Sequence, residues 1–463
     1  MTPVDRVRPP APGPVRPFAF PHVHRGALAN GLAVLAARAG DLPLVTAQVV
    51  LDAGAVREDA GRAGLAQLTA CLLDAGAGGR DGDALAWELE RLGVALEATA
   101  GWDALVVGLT VHADRLEPAL ALLADIVRRP DFPEDEVGRL RDEQLAGLVQ
   151  RRADPRLLAG DMATRFLYAA DAPYARPLPG TDETVAELTP ADVSEFHGRW
   201  FVAPDSALVL VGALDPESAP ELAERFFGDW DGAAPGPVAA SSAPRAVEPV
   251  VHLVDRPGAV QTELRMGHVG VARGHPDHFP LQVMNSLLGG AFTSRLNMNL
   301  REKHGFTYGV RSGFTMRRLP GPFLIQTAVA TDVTARAVEE VLKEVARLRE
   351  EGAPEGEVAA NRDYLAGVQP LQLQTTEQVA GHLTDLVVYG LPDDWYDTYA
   401  ARIQAVTPEE VHRVAREYVR PERMATVVVG AADALAEALA GLGAGPVERH
   451  ALSGHGGGEA TDG

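Results

Sequence analysis

The segment LTPADVSEFHGRWFVAPDSALVLVGAL (residues 188–214) parallels VTPEEVHRVAREYVRPERMATVVVGAA (residues 406–432) at an offset of 218 residues. Upstream of each, FPEDEVGRLRDEQLAGL (132–148) parallels APEGEVAANRDYLAGV (353–368) at an offset of 221 residues. The pairs occur in the same order and the offset changes little between them. The sequence therefore contains two copies of one unit of about 200 residues, and this duplication decides the fold.

Apolar and turn residues within each copy indicate strands in adjacent pairs and helices in runs. In the first copy we predict strands at 31–37, 45–51, 94–99, 104–111 and 207–211, and helices at 64–73, 83–92, 115–128, 134–150 and after the cap Thr189. In the second copy we predict strands at 250–254, 261–267, 307–314 and 323–330, and helices at 276–288, 335–349 and 355–373. This order is typical of an α+β fold, in which each repeat has a mostly antiparallel sheet with helices massed on one face.

Changes in composition give the domain boundaries. Residues 232–248, GAAPGPVAASSAPRAVE, are rich in Ala, Pro and Ser, which is typical of a semi-rigid linker. The linker separates a first α+β repeat at 25–231 from a second at 249–443. Residues 1–24 are predicted to form a Pro-rich N-terminal arm, and residues 444–463 a disordered tail.

Composition and charge exclude several classes of protein. The chain has 463 residues, of which 46% are apolar and 23% charged, as in soluble globular proteins. Its 42 basic and 64 acidic residues give a net charge of −22, so nucleic acid is not an expected partner. A single cysteine, Cys71, excludes an intrachain disulfide. No apolar run reaches the ~18 residues of a membrane helix and no signal peptide is evident, so we expect a cytoplasmic protein that does not bind membranes.

The helix beginning GLAQLTACLLDAG (64–76) is the first place to test for a catalytic metal. One class of zinc peptidase, the inverzincins, carries the signature H-x-x-E-H on a helix. The segment GLAQLTACLL, the duplicated unit and especially LREKHGFTYGV (300–310) resemble the pitrilysin/insulinase-type (inverzincin) metallopeptidases. The two-subunit processing peptidase branch is the most similar in length.

The zinc-binding positions of that family are not retained. Members read roughly GLAHFLEHMLF, and this chain has Gln67, Ala70 and Cys71 where they have His, Glu and His. The family's distal third ligand, a Glu, falls at about Gly147, and the nearest carboxylate is Glu143. We interpret these side chains as a packed helix face and a solvated charge. Loss of a positioned base alone lowers rates by ~10²–10⁴, so we expect no cofactor in this chain and no peptidase activity from it alone.

Two other groups of histidines were considered as ligands. His275 and His278 have i, i+3 spacing beside a proline, and His22 and His24 precede the first strand. We interpret both groups as surface histidines, since Asp277 is the one candidate base beside the first pair and the second pair lies in the N-terminal arm.

The retained motif places Arg301 and Tyr308 seven residues apart, across a helix at 296–302, a break at Gly305 and a strand start at 306–311. The two side chains can converge there, a guanidinium with two parallel donors and a phenol with one. From spacing alone, Arg301 complementing a helix dipole and Tyr308 packing at a strand edge remains an alternative. The resemblance implies that the pair reaches across a closed chamber to a peptide held at a zinc ion.

Gly289 and Gly290 precede the same helix and are candidate substrate-binding positions, because glycine lets a backbone approach a peptide closely. A simple turn that ends a helix explains them equally well. An exposed strand in either copy is a further candidate for binding an extended peptide.

The resemblance implies a non-catalytic subunit of a heterodimeric zinc peptidase that cleaves peptides or unfolded proteins. A homologous partner would supply H-x-x-E-H and the zinc, and this chain would bind the substrate and assist the reaction. The alternative is a proteolytically inactive scaffold of the kind that related core subunits form in respiratory complexes. A neighbouring reading frame that encodes H-x-x-E-H would favour the first hypothesis.

Overall fold

A computed structural model of the chain describes residues 13, 18–238 and 240–451. Within these residues the chain forms two six-stranded sheets, one in each copy, and a two-stranded ribbon. The predicted α+β fold with two sheet-bearing halves is confirmed. No helix along these residues combines the length and the apolarity that crossing a bilayer requires.

The strands of the first copy form a sheet in the order β1-β2-β8-β3-β7-β6, in which only the β2–β8 pairing is parallel. The strands of this copy, including the ribbon β4–β5, are β1 Val23–Ala27, β2 Ala33–Arg38, β3 Leu44–Leu51, β4 Gly76–Ala77, β5 Arg80–Asp81, β6 Glu97–Ala100, β7 Leu105–His112 and β8 Ala207–Gly212.

The strands of the second copy form a sheet in the order β11-β12-β10-β13-β9-β14, and β9 pairs in parallel with both of its neighbours. They are β9 Val250–Asp255, β10 Gln261–Val269, β11 Val310–Phe314, β12 Pro322–Ala330, β13 Ala425–Gly430 and β14 Val447–His450. Five strands have the same order in both sheets, because β9-β13-β10-β12-β11 repeats β2-β8-β3-β7-β6. The sixth strand differs: β1 is antiparallel to β2, whereas β14 is parallel to β9.

Most of the helices form one run in each copy, between β7 and β8 in the first copy and between the corresponding strands β12 and β13 in the second. Those of the first copy are α1 Leu65–Cys71, α2 Gly82–Leu92, α3 Leu116–Arg128, α4 Glu134–Ala153, α5 Pro155–Leu167, α6 Asp182–Ala186, α7 Pro190–Trp200 and α8 Ala219–Phe227. Those of the second copy are α9 His278–Asn285, α10 Thr334–Glu351, α11 Glu355–Val368, α12 Thr376–Val388, α13 Tyr399–Ala405, α14 Pro408–Tyr418 and α15 Ala432–Ala440. Two π-helical turns, Ser286–Gly290 and Asn297–Lys303, follow α9.

Helices α7 and α14, which lie in the duplicated segment, begin with the same capping box. Thr189 accepts a hydrogen bond from the Asp192 amide at 3.2 Å, and the Asp192 carboxylate accepts one from the Thr189 amide at 2.8 Å. Thr407 and Glu410 make the equivalent pair of bonds at 3.2 and 2.9 Å. These bonds satisfy amides that the helix leaves unpaired, and the predicted cap at Thr189 is confirmed.

Both faces of each sheet are covered, which the sequence analysis did not predict. The helices of each copy pack on one face of its own sheet, and the opposite face receives a helix of the other copy. α5 lies on β10 and β13, where Phe166 and Leu158 pack with Val427. α12 lies on β3 and β8, where the Thr46 and Thr376 hydroxyl oxygens are 2.7 Å apart. The cause is the strands themselves, since β8 is buried along its whole length and therefore apolar on both faces.

The predicted element ends differ from the structure at several positions. α2 is capped by Asp81, whose carboxylate accepts from the Ala84 amide at 2.9 Å, rather than by Asp83. β11 starts at Val310 rather than at residue 306 or 307, because the Thr307 hydroxyl accepts from the Gly309 amide at 3.1 Å and forms a turn before the strand.

The domain ends also differ. β1 begins at Val23, inside the predicted arm, and β14 lies in the predicted disordered tail. β14 was missed because its polar sequence gives little apolar signal, and backbone pairing with β9 orders it instead. The rest of that tail, from residue 452, and most of the Pro-rich arm lie outside the described residues. In the described part of the linker, 232–248 without residue 239, there is neither a helix nor a strand.

Candidate functional site

The helix that carries the altered zinc-binding positions begins at a glycine with a left-handed backbone. Gly64 has φ 97°, and the α1 helix follows it directly. The Glu58 carboxylate accepts hydrogen bonds from the Ala66 amide at 2.7 Å and the Gly64 amide at 3.3 Å. Burial outweighs these bonds and raises the pKa of Glu58 to about 7. The start of α1 therefore holds a buried carboxyl group that titrates near neutrality.

Along α1, Gln67 is half-buried, Ala70 is buried and Cys71 is exposed. Helix α4 packs beside α1, and Gln144 on α4 donates to the Gly64 carbonyl at 3.1 Å. Partial desolvation, and then the carboxylates of Asp74 and Glu143, raise the pKa of the Cys71 thiol. These surroundings disfavour the thiolate, which is the form of cysteine that binds a metal ion.

This set of donors does not fit a zinc ion. Between α1 and α4, the described residues do not bring three His, Cys, Asp or Glu ligand atoms within metal-binding distance of one another. Glu143 forms an exposed ion pair with Arg139 at 3.3 Å. A Cβ atom at Gly147 would meet no atom within 4 Å, so that position faces open space. We therefore derive no hydrolytic step at α1.

The interpretation of His278 as a surface residue is wrong. His278 is buried in the second copy, where Arg273 lies 3.0 Å from its Nε2 atom. Burial, and then the charge of Arg273, lower the pKa of His278 to about 3, so the imidazole is neutral. His275 is partly exposed and packs edge-on against Tyr418. The sequence around the neighbouring proline gave no sign that His278 is buried. The burial comes from packing against residues more than 100 positions away in the chain.

Arg301 and Tyr308 lie side by side in the structure. The guanidinium carbon of Arg301 is 5.7 Å from the centre of the Tyr308 ring. Arg301 comes from the second π-helical turn, and Gly305, with φ 63°, reverses the chain and leaves Tyr308 just before β11. Tyr308 is 95% exposed, so its hydroxyl group is open to solvent. The pair presents a cation and a phenol together at the surface.

A third residue, Phe292, belongs to this cluster and was missed by sequence reasoning. The Arg301 guanidinium lies 4.5 Å from the centre of the Phe292 ring, which is 69% exposed. Arg301 therefore lies against two aromatic rings, an arrangement that fixes the guanidinium by cation–π attraction. An ion pair between Arg301 Nε and Glu302 at 3.5 Å adds to this. A signal was available in GGAFTS (289–294), where a large apolar residue follows a glycine turn.

The two candidate glycines have different surroundings. A Cβ atom at Gly289 would lie 2.7 Å from the Ser312 amide nitrogen, so close packing against β11 explains this glycine. Gly290 is exposed at the end of the first π-helical turn. Of the two, Gly290 is the one whose backbone faces solvent.

Edge strands β6 and β11 occupy equivalent positions, and in the described sheets each pairs on one side only. A cavity of about 240 Å³ adjoins β6 and is lined by Gln48, Thr110 and the acidic residues Glu97 and Glu377. Both edges offer free backbone groups to an extended peptide, and the cavity distinguishes β6.

Models of two related domains match most of the chain. Residues 34–169 match the insulinase family of peptidases (peptidase family M16), and residues 187–365 match the peptidase M16 inactive domain. The chain belongs to peptidase family M16. The resemblance based on GLAQLTACLL and LREKHGFTYGV is confirmed, and this M16 member lacks the H-x-x-E-H sequence on α1.

Curated relatives include both proteases and a respiratory subunit. An uncharacterized zinc protease of Mycobacterium bovis is 27% identical over 427 residues, which cover 91% of this chain and 96% of the relative. Cytochrome b-c1 complex subunit 1 of Bos taurus is 27% identical over 274 residues, which cover 58% of this chain and 56% of the subunit.

Solved structures show the same fold. The peptidase M16 inactive domain from Pseudomonas fluorescens superposes with a TM-score of 0.83 at 28% identity, covering 88% of this chain and 98% of that one. A chain of Complex III2 from Candida albicans has a TM-score of 0.75 at 16% identity, covering 89% and 97%, which shows the fold alone.

Proposed function

We propose that this M16 chain is the non-catalytic subunit of a heterodimeric zinc metallopeptidase, in which it binds peptide and assists the reaction from the wall of a closed chamber. A homologous partner that carries H-x-x-E-H would supply the zinc and the base. The observation that carries the proposal is the exposed Arg301–Tyr308 pair, 5.7 Å apart, in a chain whose α1 helix lacks zinc ligands.

The chemistry of the pair supports this role. When water attacks a peptide bond, negative charge develops on the carbonyl oxygen, and preorganised donors stabilise that charge. The Tyr308 hydroxyl is one such donor, and the guanidinium of Arg301 provides further N–H donors held in place by Phe292. Tyr308 and Phe292 each leave an aromatic ring exposed against Arg301, and aromatic and arginine side chains together are typical of surfaces that contact a substrate or partner.

Peptide binding is supported by the edges of the two sheets. β6 and β11 each have unpaired backbone groups, and Gly290 exposes its backbone next to Phe292. The acidic cavity beside β6 suits a basic peptide, in agreement with the net charge of −22. We propose a cytoplasmic location for this activity.

The test is co-expression with the H-x-x-E-H-bearing chain from a neighbouring reading frame, followed by an assay of unfolded-peptide cleavage. Arg301→Ala and Tyr308→Phe should each lower kcat of the assembled pair by about 10²- to 10³-fold, since removal of one donor has that effect in other enzymes. KM should change less. Arg416→Ala and Tyr364→Phe, at exposed positions on α14 and α11, are the matched controls and should turn over normally.

The second candidate function is that of a proteolytically inactive scaffold. The similarity of this chain to cytochrome b-c1 complex subunit 1 favours that function. A scaffold would assemble with its partner, but Arg301→Ala and Tyr308→Phe would leave any turnover unchanged. That result would reject the assisting role of the pair.

A further inference from the structure

The C-terminal strand brings together three metal-ligating side chains far from α1. β14 pairs in parallel with β9, which places Glu448 opposite His252 and His450 opposite Val254. Residues two apart in a strand share a face, so Glu448 and His450 lie on the same side of the sheet as His252. This is the one such cluster among the described residues, and it has no counterpart in the first copy, where β1 takes the edge position.

The distances match the coordination sphere of a transition metal. His252 Nδ1 lies 3.2 Å from His450 Nε2 and 3.2 Å from Glu448 Oε2, and the last two atoms are 3.9 Å apart. A triangle with these sides has a circumscribed radius of about 2.0 Å, within the ~2.0–2.2 Å range of Zn–N and Zn–O bonds. One ion can therefore contact all three atoms without movement of the backbone.

An aromatic ring of the first copy packs against both imidazoles and holds them in place. Phe166 of α5 stacks on His252 with the ring centres 3.9 Å apart, and its ring centre is 4.6 Å from that of His450. The side chain of His252 is 6% exposed and that of His450 is 30% exposed, so water reaches the pair mainly from the side of His450.

Two arginine side chains lie near the cluster, and their positive charges would repel a bound metal ion. Arg245 of the linker and Arg165 of α5 are both close enough to affect His450. The single carboxylate of Glu448 offsets part of this charge. Zinc, which binds neutral imidazole strongly, fits the donor set better than Ca²⁺ or Mg²⁺, which prefer oxygen ligands.

We propose that His252, Glu448 and His450 form a binding site for a divalent transition metal ion such as Zn²⁺. Three protein ligands leave a fourth position for water or another ligand, as in open zinc sites. A cavity of about 270 Å³ adjoins His252 and is also lined by Phe166, Pro244 and Val250. The bound ion would cross-link β14 to its neighbour β9 beside the linker. The proposed site differs from our expectation that this chain holds no metal. That expectation rested on α1 and on two pairs of histidines that do not include His252 or His450.

The test uses the full-length chain, stripped with a chelator and titrated with ZnCl₂ in competition with a chromogenic chelator. We expect one Zn²⁺ per chain. Glu448→Gln and His450→Ala, at positions that are not fully buried, should weaken binding at least about 100-fold, since even changes to the groups behind metal ligands cost ~10- to 100-fold. His112→Gln, which removes an exposed histidine beside Asp114, is the matched control and should bind as the wild type does.

A second readout separates metal binding from the hydrogen bond that His252 and His450 can form without an ion. Added Zn²⁺ should raise Tm of the wild type and of Cys71→Ser, but not of His450→Ala. Absence of stoichiometric binding, or equal binding by the Glu448 and His450 variants, would reject the site. Loss of zinc in Cys71→Ser would instead place the ion at α1, and would contradict the proposed function as well. The result for peptide cleavage by the heterodimer is independent of this site.

Discussion

Glu58 at the start of α1 is a buried carboxyl group whose titration should be measurable. Its pKa is about 7 in the folded protein, above the ordinary value of 4.5, because burial disfavours the charged form. The folded state therefore binds more protons than the unfolded state between these values, and stability falls as pH rises through that window. A shift of this size corresponds to up to about 3 kcal/mol.

Glu58→Gln removes this titration. Compared with the wild type, its free energy of unfolding should improve progressively from pH 5 to pH 8, as measured by thermal unfolding at each pH. Glu143→Gln, which removes an exposed carboxylate on α4, serves as the matched control. A constant difference between Glu58→Gln and the wild type across this range would contradict the assigned pKa.

At the residue scale, the sequence predicted contacts between residues that are close in the chain, but not contacts between residues that are far apart in it. Arg301 and Tyr308 are seven residues apart, so one helix end and one turn bring them together, and the motif was visible in the sequence. Phe292 joins them only through the geometry of a π-helical turn, for which the sequence has no clear signal. His252 and His450 are 198 residues apart, and only the pairing of β14 with β9 connects them.

At the element scale, the repeated capping boxes give a matched pair of predictions. Thr407→Ala and Thr189→Ala each remove the acceptor for one helix-start amide, and each should lower the free energy of unfolding by about 1 kcal/mol. Thr407→Ser and Thr189→Ser keep the hydroxyl and should stay close to the wild type. Urea unfolding measures the differences, and the double alanine variant should show roughly the sum. An effect confined to one copy would mean that the two caps are not equivalent.

The duplication predicted most strands and many helices, but it did not predict the helices that cross between copies. α5 follows α4 after only Asp154, and its apolar residues face both its own copy and the other sheet, so they form no single stripe. Likewise, α12 packs on the first copy's sheet through contacts such as Thr46–Thr376, which are 330 residues apart. Sequence periodicity reports which residues are buried, but not which element buries them.

At the scale of the whole molecule, the two copies should remain together when the linker is cut. α5 and α12 each cover the other copy's sheet, and Arg318 forms an ion pair with Asp52 across the interface at 2.7 Å. A cleavage site for a specific protease, inserted after Ala234 in the exposed linker, should give two fragments that co-elute on gel filtration in native buffer. The uncut insertion variant is the control. Separation of the fragments without denaturant would show that the linker, and not α5 and α12, holds the two copies together.

The reciprocal crossing of α5 and α12 also bears on how such a chain arises. The helix of each copy covers the sheet of the other copy. Two identical single-unit chains related by a twofold axis would adopt the same arrangement. A single-unit ancestor would thus have been an obligate homodimer, since alone it would leave an apolar sheet face in water. Joining two copies of the gene through a segment like 232–248 would then have freed each half to diverge, as the different sixth strands β1 and β14 illustrate.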